Sequence, residues 1–371
     1  MPPISLVSPP ATAPPTGRAA TAPSATGTRP VRPSRDPVGQ RSPSAATLPD
    51  PTEHLPAPSP RRRPALSYEL FPARTGSSFE RLQQTVAQLE HTAPDYVSVT
   101  SRTGYQNFAR VLELTDHVLE HTRLRPLVHL TSVGARREHL VAAIEALLDR
   151  GVRGILALRG DVPEGHVPED DEFPFARYLV ELIREVERDR SALLAGGRLA
   201  IGVAAYPVRH PESPTRQHDV EVLVSKARSG ADFAITQVFF DPADYCDLVT
   251  RARRAGVEIP LVPGFIPATD SKRLHRLAEL SGVHAPRELL HALECAADDA
   301  ERRRIGTRFT VDLIRGVLDA GAPGLHLYTF NRHAEALDVL DALDLDRWST
   351  AGTPDPGTPD PAATPHQGDP R

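Results

Sequence analysis

Between Leu66 and Leu345 the chain alternates eight times between short apolar runs and longer stretches whose apolar residues recur every three to four positions. The short runs predict strands: LSYELF (66–71), DYVSVT (95–100), PLVHLT (126–131), GILALRG (154–160), AIGVAAY (200–206), FAITQVFF (233–240), IPLVPGFI (259–266) and LHLYTF (325–330). Each is rich in β-branched or aromatic residues and bounded by turn formers. The stretches between them carry the helical period. SFERLQQTVAQLEH places a serine cap at Ser78 and lines up Leu82, Val86 and Leu89. REHLVAAIEALLDRG puts Leu140, Ile144, Leu147 and Leu148 on one face and closes at Gly151. FARYLVELIREVERD, DVEVLVSKARSGA, PADYCDLVTRARRAG, DSKRLHRLAELSG and ERRRIGTRFTVDLIRGVLDAG continue the alternation, and RHAEALDVLDAL ends it over the closing seam. Eight strand–helix units across residues 65–346 predict a (β/α)8 barrel of the α/β class. A doubly wound sheet is the alternative, but its glycine-rich GxGxxG turn is absent.

Composition changes this picture only at the two ends. Proline, 38 residues in all, concentrates in residues 1–64 and in the tail 347–371, where no helical or alternating period survives. Such segments cannot bury enough surface to offset chain entropy, so both are expected to be disordered and the barrel to be the one folded domain. The net charge of -5 carries no nucleic-acid signature. No apolar run reaches the length of a membrane span, and prolines interrupt anything like a signal peptide. Two cysteines, Cys246 and Cys295, cannot build a disulfide framework, and a cytoplasmic location is expected. The expected partners are small molecules, with no nucleic acid and no membrane, in a homo-oligomer.

Polar residues then gather where a barrel carries its function, at the C-terminal ends of the strands. Glu69, Thr100, His129 with Thr131, Arg159 with Asp161, Tyr206, Gln237, and Tyr328 with Asn331 and Arg332 close every strand but the seventh. A single buried histidine is ordinarily just a hydrogen-bonded core residue. The recurrence on seven strands is what predicts one shared pocket. It has no HExxH, no triad of acids and no cysteine nucleophile, so no metal is expected, and the set suits redox or proton transfer on an organic cofactor. Glu69 is the oddest member, because burying a charge in a strand without a partner costs several kcal/mol or more. It is either a structural partner of Arg159 or Arg332, or an acid that needs a dry site.

YELFPAR, YVSVT, HLT, LALRGD, AAYPVRHPES, AITQVFFD, VPGFIP and YTFNR follow one another as in methylenetetrahydrofolate reductases, and the chain resembles that family from Leu66 to Leu345. The resemblance implies an enzyme that passes hydride from NADH or NADPH through FAD to 5,10-methylenetetrahydrofolate, giving 5-methyltetrahydrofolate for methionine synthesis. It implies Glu69 as the acid that opens the methylene bridge and Asp161 as the charge beside the rings. Thr100, His129, Arg159, Gly160, Asp161, Ala176, Tyr206, His210, Asp219 and Lys226 fall on FAD-contact positions. Asp161, Gln237, Tyr328 and Arg332 fall on substrate positions. Arg159 and Lys226 would meet the pyrophosphate, and Lys226 is one of only two lysines in the chain. The sequence departs from the family where SVTSRTGYQ has Ser101 and Thr103 in place of tyrosine and alanine, and at Val222 and Ser225. Other readings of the residues are a different flavin barrel, such as a proline dehydrogenase relative, or a non-catalytic folate- or flavin-binding barrel.

Overall fold

The computed structural model describes residues 63–101, 108–162, 173–194 and 197–348. Thr103 and almost all of the two proline-rich segments lie outside them. Nine strands form one sheet: β1 (Ala65–Leu70), β2 (Tyr96–Val99), β3 (Pro126–Thr131), β4 (Gly154–Leu158), β5 (Ala200–Ala205), β6 (Phe233–Thr236), β7 (Leu261–Val262), β8 (Gly264–Phe265) and β9 (Gly324–Tyr328). Every pairing is parallel, in the order β7-β6-β5-β4-β3-β2-β1-β9-β8.

β7 and β8 are the two halves of the single strand expected at 259–266. Pro263 stands between them and has no N–H to give to a ladder. The half before it pairs with β6 and the half after it with β9, so this one segment joins the two ends of the sheet. The Pro263 carbonyl still accepts from the His326 N–H at 2.9 Å. The result is a (β/α)8 barrel.

Among the described residues ten α-helices surround it: α1 (Gly76–Glu90), α2 (Phe108–His121), α3 (Arg137–Asp149), α4 (Ala176–Asp189), α5 (Arg216–Arg228), α6 (Pro242–Arg254), α7 (Ser271–Ser281), α8 (Arg287–Cys295), α9 (Asp299–Asp319) and α10 (His333–Leu343). α2 and α8 were not separated out by the sequence reading. α8 is an added nine-residue helix between β8 and α9, and with α7 it encloses a satellite apolar cluster built on Leu274, Leu289 and Leu293. The α1 cap is Thr75, not Ser78. Its hydroxyl accepts from the Ser78 N–H, and the Ser78 hydroxyl accepts in turn from the Thr75 N–H, a reciprocal capping box. Three polar candidates in TGSS made the first of them hard to pick. Among the described residues no helix is long and apolar enough to cross a membrane.

The core has two layers, set by the two-residue alternation of each strand. Leu66, Tyr68 and Leu70 of β1, with Val97 and Val99 of β2, face outward onto the helices, where Leu82, Val86 and Leu89 of α1 are fully buried. Each such side chain contributes roughly 1.5–3 kcal/mol relative to exposure. Inside the barrel, Leu127, Leu156, Ile235 and Val262 pack with Tyr96, Leu158 and Phe233. Gly202 of β5 is needed here, because a Cβ would lie 2.8 Å from both Leu156 and Phe233. Apolar filling plugs this level and leaves the level above it to polar residues.

Candidate active site

Above that plug the interior opens into a cavity of about 1200 Å³ at the C-terminal ends of the strands. Sites for one small ligand run to roughly 300–1,000 Å³, so this one has room for two ring systems. Glu69, Thr100, His129, Arg159, Gly160, Asp161, Ala176, Tyr206, His210, Asp219, Lys226, Gln237 and Tyr328 all line it. Arg332 does not. Its Nε bonds Glu335 at 2.8 Å in the first turn of α10, two residues beyond the cavity-lining Phe330.

The dry side is built by β1, β2, β3 and β9. Glu69 is 8% exposed and sits in register with Ser98 of β2 and Tyr328 of β9. Neither arginine considered for it is its partner: Arg159 and Arg332 both bind other carboxylates. Burial therefore pushes the Glu69 carboxyl up to about 8, with the Thr100 hydroxyl offsetting part of the rise. That hydroxyl is close enough to favour the carboxylate but makes no hydrogen bond of ordinary geometry, and Thr100 Oγ1 has no such partner among the described residues.

His129 Nε2 lies 3.7 Å from Glu69 Oε2, too far for a hydrogen bond, and is likewise buried without a partner. Burial pushes this imidazole down to about 3. With the acid protonated and the imidazole neutral near pH 7, the two are uncharged neighbours and not an ion pair. His326, on β9 next to the strand of Glu69, is also driven to about 3, by burial first and then by His129, and its Nδ1 meets Ser67 Oγ at 2.8 Å. Tyr328 donates its hydroxyl proton to the Thr236 carbonyl at 2.8 Å, so it offers the cavity a ring and not a phenol. Gln237 Oε1 accepts from the Val238 N–H at 2.9 Å. That bond fixes the amide orientation and leaves Nε2 as the donor end.

The charged side is built from the ends of β4 and β5 and from α5. Arg159 grips Glu212 with two bonds of 2.6 and 2.8 Å, which raises the guanidinium pKa and lowers that of the carboxyl. Asp161 lies at the mouth, and its charge is felt by Arg159 and Tyr206. Asp219 accepts from the His210 N–H at 3.1 Å and from the Ser213 hydroxyl, which ties down the loop that carries Glu212. Tyr206 packs edge-on to His210 at 4.6 Å. Lys226 is 7% exposed and donates to the Ala204 carbonyl at 2.9 Å. Burial pulls its ammonium down to about 8, against the opposing pull of Asp219. The N-terminus of α4, at Ala176, completes this wall.

Four large apolar residues that stay exposed, Val162, Phe175, Val222 and Phe330, rim the same cavity. Phe175 is 55% exposed. An apolar rim around polar walls is what flat ring ligands cover. The sequence reading missed Glu212, His326 and Phe330. His326 could have been found, since it shares the inward face of its strand with Tyr328. Nothing in HPES marks Glu212 as the partner of Arg159.

Residues 56–344 match the family model for methylenetetrahydrofolate reductase. The chain belongs to that family. It is 33% identical over 269 residues to the 5,10-methylenetetrahydrofolate reductase of Pectobacterium carotovorum, covering 72% of this chain and 86% of the relative. To the Escherichia coli enzyme of the same name it is 31% identical, covering 75% and 90%. A Caenorhabditis elegans relative described as a probable NADPH enzyme is 31% identical over 77% of this chain, but only 43% of its own length is spanned. The chain spans most of the length of the two bacterial relatives. A Clostridium thermocellum protein shares the fold at TM-score 0.54 and 15% identity, covering 78% of this chain and 96% of that one; its structure holds two copies of 5-methyl-5,6,7,8-tetrahydrofolic acid. Reduction of methylenetetrahydrofolate is the family's reaction.

Proposed function

We propose that this chain reduces 5,10-methylenetetrahydrofolate to 5-methyltetrahydrofolate with NADH or NADPH as donor and FAD as the bound carrier. The observation that carries the reading is a glutamate buried at the floor of a large cavity, where burial pushes its carboxyl up to about 8, in a chain of this family.

The residues present fit a flavin. Thr100 Oγ1 and His129 Nε2 are buried polar atoms in want of partners, and the rim offers apolar surface. Lys226, Arg159 and His210 supply cations or donors for a pyrophosphate, although Arg159 would have to share its guanidinium with Glu212. When bound, FAD would supply two-electron hydride transfer between the nicotinamide and the folate.

The protein's own part is proton and charge management. Glu69 gives its proton to the anilino nitrogen of the methylene bridge. The bond from that nitrogen to the bridging carbon breaks, and its electron pair stays on the nitrogen. The carbon is left as an iminium on the pterin nitrogen, ready to accept hydride. A group with a pKa near 8 holds this proton at neutral pH yet releases it to a leaving amine. Asp161 stabilises the cationic folate by its negative charge, and the Gln237 amide nitrogen donates to the pterin. Arg332 holds the folate carboxylate if its bond to Glu335 is exchanged.

Oxidation of NADH or NADPH by the purified chain, dependent on methylenetetrahydrofolate and yielding 5-methyltetrahydrofolate, tests this reading. Flavin absorbance in the same preparation tests the carrier. Nicotinamide oxidation that ignores the folate would count against it.

A further inference from the structure

Among the described residues, Arg159, Arg177 and Lys226 are the arginines and lysines that line the cavity. Two of them are already committed within the chain. Arg159 grips Glu212, and Lys226 donates to the Ala204 carbonyl while Asp219 favours its charge. Arg177 pairs with no carboxylate among the described residues, where its guanidinium donates only to the Tyr178 hydroxyl.

The position disfavours a cation. Arg177 is the second residue of α4, where the N-terminal end of the helix dipole repels positive charge. The first turn has neither an acidic residue nor a side-chain cap to offset that repulsion. The guanidinium lies over the Tyr178 ring, 4.2 Å from its centroid. Stacking of this kind holds the planar fork in one orientation, so less freedom is lost when it grips an anion. The rest of the wall does not supply free positive charge. Val222 and Ser225 of α5, where the sequence departs from its family, line the cavity with an isopropyl group and a hydroxyl. Asp161, Glu212, Asp219 and Glu221 line it too, so Arg159 and Lys226 alone would leave an excess of carboxylates facing any phosphate. Arg177 is the cation that shifts this balance.

We infer that Arg177 is the main partner of the FAD pyrophosphate in this chain, a charge on α4 serving a wall to which α5 brings only an internally bonded lysine. The inference rests on the reading of the cavity as a flavin site. A guanidinium without a carboxylate can fork two phosphate oxygens, which Arg159 cannot do without releasing Glu212. The helix end that repels the arginine attracts the anion it would hold, so a bound phosphate relieves the conflict.

Fluorescence titration of the flavin-free full chain with FAD tests it. Charge-assisted bonds of ordinary strength predict that Arg177→Gln weakens FAD binding roughly ten- to hundredfold. Arg177→Glu, which reverses the charge, should weaken it further. Raising the salt should narrow the gap between wild type and the glutamine variant, because the half-buried charge is screened. Without ligand both variants should melt no lower than wild type, since each relieves the dipole, and at saturation the absorbance of the flavin ring should be unchanged. Unchanged FAD affinity in both variants overturns the assignment. Weaker binding that comes with a lower melting point or an altered ring spectrum also overturns it, because Arg177 would then be a structural residue. A wild-type chain that binds no FAD would instead defeat the reading of the cavity as a flavin site.

Discussion

On the β1, β2, β3 and β9 side of the cavity, Glu69, His129 and His326 are buried without charged partners of their own, and burial drives each to its neutral form. On the β4, β5 and α5 side, Arg159, Glu212, Asp219 and Lys226 are tied to carboxylates, carbonyls and backbone N–H groups. Both sides contain titratable residues at strand ends. Only their surroundings differ, and the surroundings decide that one side trades protons while the other holds charge. The difference fits a division of labour, with acid chemistry at the uncharged floor and anion binding at the charged wall.

The largest effect expected is at the dry side. Glu69→Gln keeps the shape of the side chain and removes its proton. Reduction of methylenetetrahydrofolate should fall about a hundred- to ten-thousand-fold, while nicotinamide oxidation with an artificial acceptor stays within a few-fold. Rapid-mixing absorbance with each substrate alone separates the two. Equal loss in both would erase the distinction between the sides.

Stability against pH should show how dry that first side is, with opposite signs at its two kinds of residue. His129 and His326 have folded pKa values far below their unfolded ones, so the stability present above about pH 6.5 is lost as pH falls toward 3. Each contributes on the order of 4 kcal/mol across that window. Glu69 runs the other way. Its folded pKa lies above the unfolded one, so stability falls as pH rises from about 4.5 to about 8. Glu69→Gln should remove that second slope, and urea unfolding of both proteins between pH 5 and pH 8.5 checks it. Parallel curves would mean that Glu69 is not held protonated by burial.

A smaller effect is expected at the mouth of the charged side. Asp161→Asn should slow folate reduction roughly tenfold, more than nicotinamide oxidation, because the charge matters most when the folate is cationic. Smallest is the change on the charged wall. Arg159 and Glu212 form a partly exposed pair, of a kind worth about 0.2–1 kcal/mol. Glu212→Gln should therefore strengthen binding of FAD or ADP by only about two- to fivefold, read by fluorescence or calorimetry. Weaker binding would show that Glu212 positions Arg159 and does not compete for it.

The barrel was legible in the sequence because each strand's apolar run is long enough to register and each helix carries its own period. The split at Pro263 was harder to see, since VPGF reads as apolar whichever neighbour it pairs with. The lining of the cavity was legible through strand-end positions, and of the residues expected at the site Asn331 and Arg332 are the two that stay outside its lining. What those residues bind within the chain was not legible. Arg159 finds Glu212 53 positions away, and Phe330 is placed by an asparagine that caps the end of β1, 260 positions distant. Pairings of that range depend on closure of the barrel and leave no local pattern.

Whether Glu69 carries its proton at neutral pH is read most directly by infrared difference spectroscopy of wild type against Glu69→Gln, titrated from pH 5 to pH 10. A protonated-carboxyl band should be present in the wild type at pH 6.5, be missing from the variant, and disappear with a midpoint at about 8. A difference spectrum with only a carboxylate signal at pH 6.5 would contradict the account, and Glu69 would then be an ionised structural residue with no proton to give.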